Sequence, residues 1–208
     1  MDYIVYIAAR ALSLIFILIP LRIGLLLGRG AGLLIFYVNH KRRKVAYKNL
    51  KAAFGKTKDP GQLMKITKGV YKNFGQMLIE VLRLPAMGKR YTNKFLKIRG
   101  MENLKAAQKN GKGVIFLTGH FGNWELSSAV SPLMGLSVIS LAREQKHSRL
   151  NDLLNEYRQI NGARIVSKGA SVRELIRHLR SGGIIGMLTD QDAGKFSEFI
   201  NFFDRPAS

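Results

Sequence analysis

Val114-Ile-Phe-Leu-Thr-Gly-His120-Phe-Gly-Asn-Trp-Glu125-Leu126 is the stretch on which the reading of this chain turns. Its first residues are apolar and partly β-branched, and the run is too short for a helix, so residues 114–118 read as a buried strand. Gly119 ends the strand and delivers His120 into a turn. Asn123 is a good helix N-cap, which starts a helix over residues 123–134. Histidine accepts and returns a proton near neutrality. A carboxylate on its far ring nitrogen would fix the tautomer and stabilise the imidazolium. The His-x4-Glu spacing offers Glu125 for that part, making His120 the expected general base.

Outward from this stretch the chain alternates short strands and helices. Strands are expected at residues 95–98, 137–142, 163–166 and 183–188, and a last extended piece at 199–203. Helices are expected at 102–110, 148–160 and 171–180. Such alternation predicts an α/β fold with a mixed, largely parallel sheet flanked by helices. Functional residues of these sheets gather at the carboxyl ends of the strands. His120, Arg143 and the pair Asp190 and Asp192 each follow a predicted strand, so all would share one edge. Before this region, residues 42–54 and 62–84 carry apolar residues at helical spacing, the second run ending at Pro85.

Residues 3–27 are nearly all apolar, interrupted by Arg10, Pro20 and Arg22. The uncharged centre at residues 11–21 is shorter than the roughly 20 residues of a clean span. A second apolar run at 31–38, with no small-x-small cleavage site before it, fits poorly with a signal peptide. Two forms of membrane anchor stay open, a tilted span with snorkelling arginines or a segment lying in one leaflet. His40-Lys-Arg-Arg-Lys44 follows directly, and no acid occurs again before Asp59. Cations beside an apolar segment suit an anionic cytoplasmic leaflet.

Three divisions are therefore expected: an anchoring segment at 1–38, basic and amphipathic helices at 39–90, and an α/β catalytic core at 91–208. The net charge of +21, from 34 Lys and Arg against 13 Asp and Glu, calls for a polyanionic partner. Nucleic acid is disfavoured, because no zinc finger or aromatic-basic motif accompanies the charge. The chain has no cysteine, which excludes disulfides, zinc thiolate sites and thiol nucleophiles.

Gly119-His-Phe-Gly-Asn-Trp-Glu125, Asp190-Gln-Asp192-x-Gly194 and Phe202-Phe-Asp-Arg-Pro-Ala207 occur in order behind the apolar and basic N-terminal segments. Together they resemble the lipid A late acyltransferases of Gram-negative bacteria, within the lysophospholipid acyltransferase superfamily. The resemblance implies an O-acyltransferase without cofactor or metal. Its donor would be an acyl carrier protein or acyl-CoA thioester. Its acceptor would be an anionic phosphoglycolipid, a Kdo-bearing lipid A precursor, at the cytoplasmic face of the bacterial inner membrane. A related branch acylates mannosylated phosphoinositides. His120 and Glu125 would be catalytic. Arg158 and Asp190 match functional positions of the family, although Arg164 can be aligned in place of Arg158. Arg143, Asp192 and Asn123 complete the expected substrate contacts, and Trp124 is expected to pack. Members of the family continue well beyond the Phe-Phe-x-x-Pro-Ala segment, so a truncated chain is also expected here. Two other readings remain: a metal-dependent glycosyltransferase using Asp190 and Asp192, and an inactive lipid-binding fragment.

Overall fold

The computed structural model describes residues 2–109, 111–142, 145, 147–167, 172–191 and 198–207. The first helix, α1, runs Asp2–Leu18 and stops before Pro20; the second, α2, runs Leu21–Val38. Proline has no amide hydrogen and forces the residue before it out of helical geometry, which breaks the apolar stretch there. Among the described residues, the helix long and apolar enough to cross a membrane is thus Leu21–Val38, inside the segment expected at 1–38. Helix α3 (His40–Phe54) is capped by Asn39, whose side chain accepts the Arg42 amide at 3.1 Å. Helix α4 (Pro60–Leu82) opens with a reciprocal cap. The Gln62 amide donates to Asp59 Oδ1 at 2.9 Å, and the Asp59 amide donates to Gln62 Oε1 at 3.1 Å.

Two compact units divide the chain, one of Met1–Ile17 with Val81–Asp190, the other of Leu18–Glu80 with Gln191–Ser208. These units cut across the three divisions expected from composition.

In the first unit, a 3-10 turn (Leu84–Ala86) leads to α5 (Lys89–Phe95) and α6 (Met101–Gln108). The strand expected at 95–98 is replaced by the end of α5 and an extended Leu96 (φ −110°, ψ 133°) that joins no described sheet. The remaining elements alternate: β1 (Val114–Thr118), α7 (Trp124–Val130), β2 (Val138–Ala142), α8 (Ser148–Gln159), β3 (Arg164–Ser167), α9 (Val172–Arg180) and β4 (Ile184–Leu188). Their four strands form one sheet in the order β1-β4-β2-β3, every pairing parallel. Helices flank a parallel sheet, as the alternating pattern predicts.

The order sets burial. Central β4 carries Ile184 and Ile185, 2% and 3% exposed, and Ile139 of β2 is fully covered. Strand β1 is an edge, and its Ile115, Phe116 and Leu117 are half or more exposed. The buried strand expected at 114–118 is corrected accordingly, because among the described residues β1 has a strand neighbour on one side alone. A core of Leu84, Met87, Ala129, Leu153 and Tyr157 joins the 3-10 turn, α7 and α8. Asn161 ties the same elements, donating to the carbonyls of Met87 and Ala129 at 2.9 Å each.

In the second unit, α2 and α4 pack together through glycines. Strands β5 (Ile200–Phe202) and β6 (Arg205–Ala207) form an antiparallel hairpin. Its two turn residues, Phe203 and Asp204, both have positive φ, 50° and 57°. That is the twist a two-residue hairpin turn requires.

Candidate active site

His120 stands two residues past β1 and Asp190 two residues past β4. Because β1 and β4 are paired neighbours with Thr118 opposite Leu188, both side chains emerge at the same carboxyl edge. The contact is made twice. The His120 amide donates to Asp190 Oδ2 at 2.7 Å, and the ring Nδ1 donates to Asp190 Oδ1 at 2.6 Å. An ionised carboxylate only accepts, so this geometry puts the ring proton on Nδ1 and leaves a lone pair on Nε2. Partial burial pushes the Asp190 carboxyl up, but the bonds from the His120 ring and then its amide outweigh this and hold it below the usual carboxylate range. A lowered folded-state value means that Asp190 stabilises the fold above the ordinary carboxylate pKa. That contribution is lost as pH falls through the lowered value.

Gly119 makes the approach possible. A Cβ at this position would lie 2.9 Å from Asp190 Oδ2 and 3.1 Å from its Cγ. Gly119→Ala is therefore expected to push the carboxylate off His120. A reaction in which His120 moves a proton should slow by roughly 10–100-fold, measured as an initial rate, the scale of an ångström-sized displacement of a reacting group. An unchanged rate would mean the double contact does not matter. Trp124 lies edge-on to the imidazole, with ring centroids 4.6 Å apart, and limits its rotation. Phe121, next to His120, is 92% exposed.

Glu125 is not the partner of His120. Arg158 Nε and Nη2 donate to its two carboxylate oxygens at 2.6 Å each, and both side chains are about nine-tenths covered. The expected orienting pair is corrected on this point: Glu125 is one residue into α7 and is turned toward α8, while His120 Nδ1 is already occupied. Arg158, expected at the substrate, also donates to Asn155 Oδ1 at 3.0 Å and is committed inside the protein. Asn123 is the α7 cap, accepting the Glu125 amide at 3.2 Å.

Arg164 is the first residue of β3, at the amino edge of a wholly parallel sheet, and pairs with Glu174 at 2.8 Å. The structure thus places it away from the edge that carries His120. Arg143 and Asp192 lie outside the described residues. The sequence placed Asp190 at the edge that carries His120, as a substrate contact; its carboxylate is bonded to His120 itself. The available signal was its position just past a strand, at the edge His120 shares.

A histidine backed by a carboxylate at the carboxyl edge of a parallel α/β sheet is an arrangement suited to accepting and returning a proton. The profile of the family described as bacterial lipid A biosynthesis acyltransferase matches residues 1–208, and the chain belongs to that family. It is 25% identical over 178 residues to lipid A biosynthesis acyltransferase 2 of Shigella flexneri, covering 85% of this chain and 55% of that protein. Similarity to the lipid A biosynthesis palmitoleoyltransferase of Escherichia coli strain K12 is 28% over 168 residues, 78% of this chain and 53% of the relative. A phosphatidylinositol mannoside acyltransferase of Mycobacterium tuberculosis is 24% identical over 141 residues, 65% of this chain and 45% of that one. The chain spans about half the length of the curated relatives it matches.

Proposed function

We propose that this chain transfers a fatty acyl group from an acyl carrier protein or acyl-CoA thioester to a hydroxyl of an anionic, Kdo-bearing lipid A precursor. It would act at the cytoplasmic face of the bacterial inner membrane. The observation that carries this reading is the Asp190–His120 pair, with Nε2 open at the sheet's carboxyl edge.

The chemistry follows from that arrangement. His120 Nε2 takes the proton of the acceptor hydroxyl as its oxygen attacks the thioester carbonyl. Asp190 stabilises the imidazolium so formed. The tetrahedral intermediate collapses with cleavage of the C–S bond. The departing thiolate takes the proton back from Nε2, and the product is an ester. No acyl-enzyme is needed, which suits a chain without cysteine. The exposed phenyl of Phe121 beside the base suits an apolar acyl donor. Glu125 and Arg158 act as positioning residues, holding the start of α7, and with it Trp124, against α8. Asp190 is better suited to this role than to an Asp-x-Asp cation site, because both its oxygens are turned to His120.

The test is acyl transfer by membranes expressing the chain, from labelled acyl carrier protein thioesters to Kdo-bearing lipid IVA, with and without EDTA. Transfer that survives EDTA and disappears in His120→Ala supports the reading. Transfer abolished by EDTA and restored by a divalent cation contradicts it.

A further inference from the structure

Helices α2 and α4 meet through residues that have no room for side chains. Gly24, Gly28 and Gly32, four apart on α2, are all buried. A Cβ on Gly28 would come within 2.6 Å of the Gly75 carbonyl oxygen and of Ile79 Cγ1, while Gly32 faces the Tyr71 carbonyl. Later residues of α2 thus meet earlier residues of α4, so the two helices run antiparallel. Such close glycine contacts are typical of helices packed within lipid.

With successive residues turned about 100° apart, this contact decides where every other side chain points. Leu27, Leu34 and Val38 of α2 fall to the same side of the pair as Val70, Phe74 and Leu78 of α4. All six are 42–70% exposed. Arg22 and Arg29 of α2 fall to the opposite side, with Lys65, Lys68 and Lys72 of α4. Lys68 reaches across the pair and donates to the Tyr37 hydroxyl at 2.9 Å. The pair has one apolar face and one cationic face.

This two-sidedness bears on how the apolar helix meets a membrane. At 1.5 Å per residue α2 is about 27 Å long, near the roughly 30 Å of a hydrocarbon core. Spanning, however, would place the exposed Arg29 close to the bilayer centre, where a guanidinium is disfavoured. Because α4 is packed along α2, the same insertion would carry Lys65, Lys68 and Lys72 into the hydrocarbon. In the other unit, α1 has its polar side engaged: Ser13 donates to the Leu82 carbonyl at 2.6 Å, and Arg10 pairs with Glu156 at 2.5 Å.

We infer that α2 and α4 lie flat in a single leaflet of an anionic bilayer, their shared apolar face among the acyl chains and their shared cationic face at the phosphates. The occupant of the face is set by charge complementarity: residues 3–58, which include α2, contain no acid, and the helix pair turns five cations to one side against the single acid of α4, Glu80. This inference does not rest on the catalytic reading.

The absence of cysteine permits a direct test in the full chain. Arg22→Cys marks the start of α2 and Lys41→Cys, in the first turn of α3, lies just past its end; both positions are exposed. In sealed membrane vesicles of one orientation, a flat pair lets an impermeant maleimide label both from the same side, to within about twofold. Labelling from opposite sides would overturn the inference. An environment-sensitive fluorophore on Phe74→Cys should shift to the blue on vesicles of phosphatidylcholine and phosphatidylglycerol. An unshifted emission would equally overturn it. Binding to phosphatidylcholine vesicles alone should be at least about tenfold weaker, since each interfacial cation adds about a factor of five. Equal binding to both would remove the role assigned to the cationic face.

Discussion

Replacing Arg158 with methionine is expected to lower the unfolding free energy by about 3–5 kcal/mol, the range for breaking a buried ion pair from one side. The side chains of Arg158 and Glu125 are 10% and 9% exposed, and the pair is bidentate at 2.6 Å. Removing the guanidinium leaves a carboxylate buried with no cation to offset its desolvation. In a chain of 208 residues, that loss corresponds to a melting point lower by on the order of 10 °C. Neutralising the orphan should reverse most of it. Arg158→Met combined with Glu125→Leu is expected to recover about 2 kcal/mol or more, since apolar pairs often replace buried ion pairs without loss. Thermal and denaturant melts of the detergent-solubilised protein read both. A single variant within about 0.5 kcal/mol of the parent, the scatter of ordinary surface changes, would show that the clamp carries no stability.

His120→Gln is expected to reduce acyl transfer by roughly 10²–10⁴-fold while leaving the melting transition in place. The imidazole is 29% exposed, so the fold does not depend on it as it does on Arg158. Glutamine keeps the backbone donor to Asp190 Oδ2 and a similar side-chain length, and it lacks a basic nitrogen. Rates measured beside unfolding curves separate the two effects. A variant that keeps the parental rate would require a different base.

Local features were legible in the sequence because short-range chemistry produces them. Asn123 caps α7 as expected, and the apolar runs at 114–118 and 184–188 are strands ending where chemistry-bearing residues begin. Non-local features were not legible. Asp190 meets His120 across 70 residues because β4 pairs with β1, and no local pattern reveals strand order. Glu125, near His120 in sequence, turns instead to an arginine on α8, since the first turn of α7 faces that helix. The same order makes β1 an edge, so its apolar run misled about burial. The family resemblance allowed Arg164 to be aligned in place of Arg158, yet the parallel pairing of β3 puts it at the opposite end of the sheet.

The proposed hold of Asp190 on His120 as the base is read from the initial rate of acyl transfer in Asp190→Asn, measured in membranes at constant expression with the unfolding curve taken in parallel. Asparagine keeps the size of the side chain but can present a donor to Nδ1, which favours the wrong tautomer and removes the charge that stabilises the imidazolium. A rate lower by about 10²–10⁴-fold is expected, in a variant that still unfolds cooperatively and loses only the modest stability that the lowered Asp190 carboxyl contributes. A parental rate in a folded Asp190→Asn variant would contradict it.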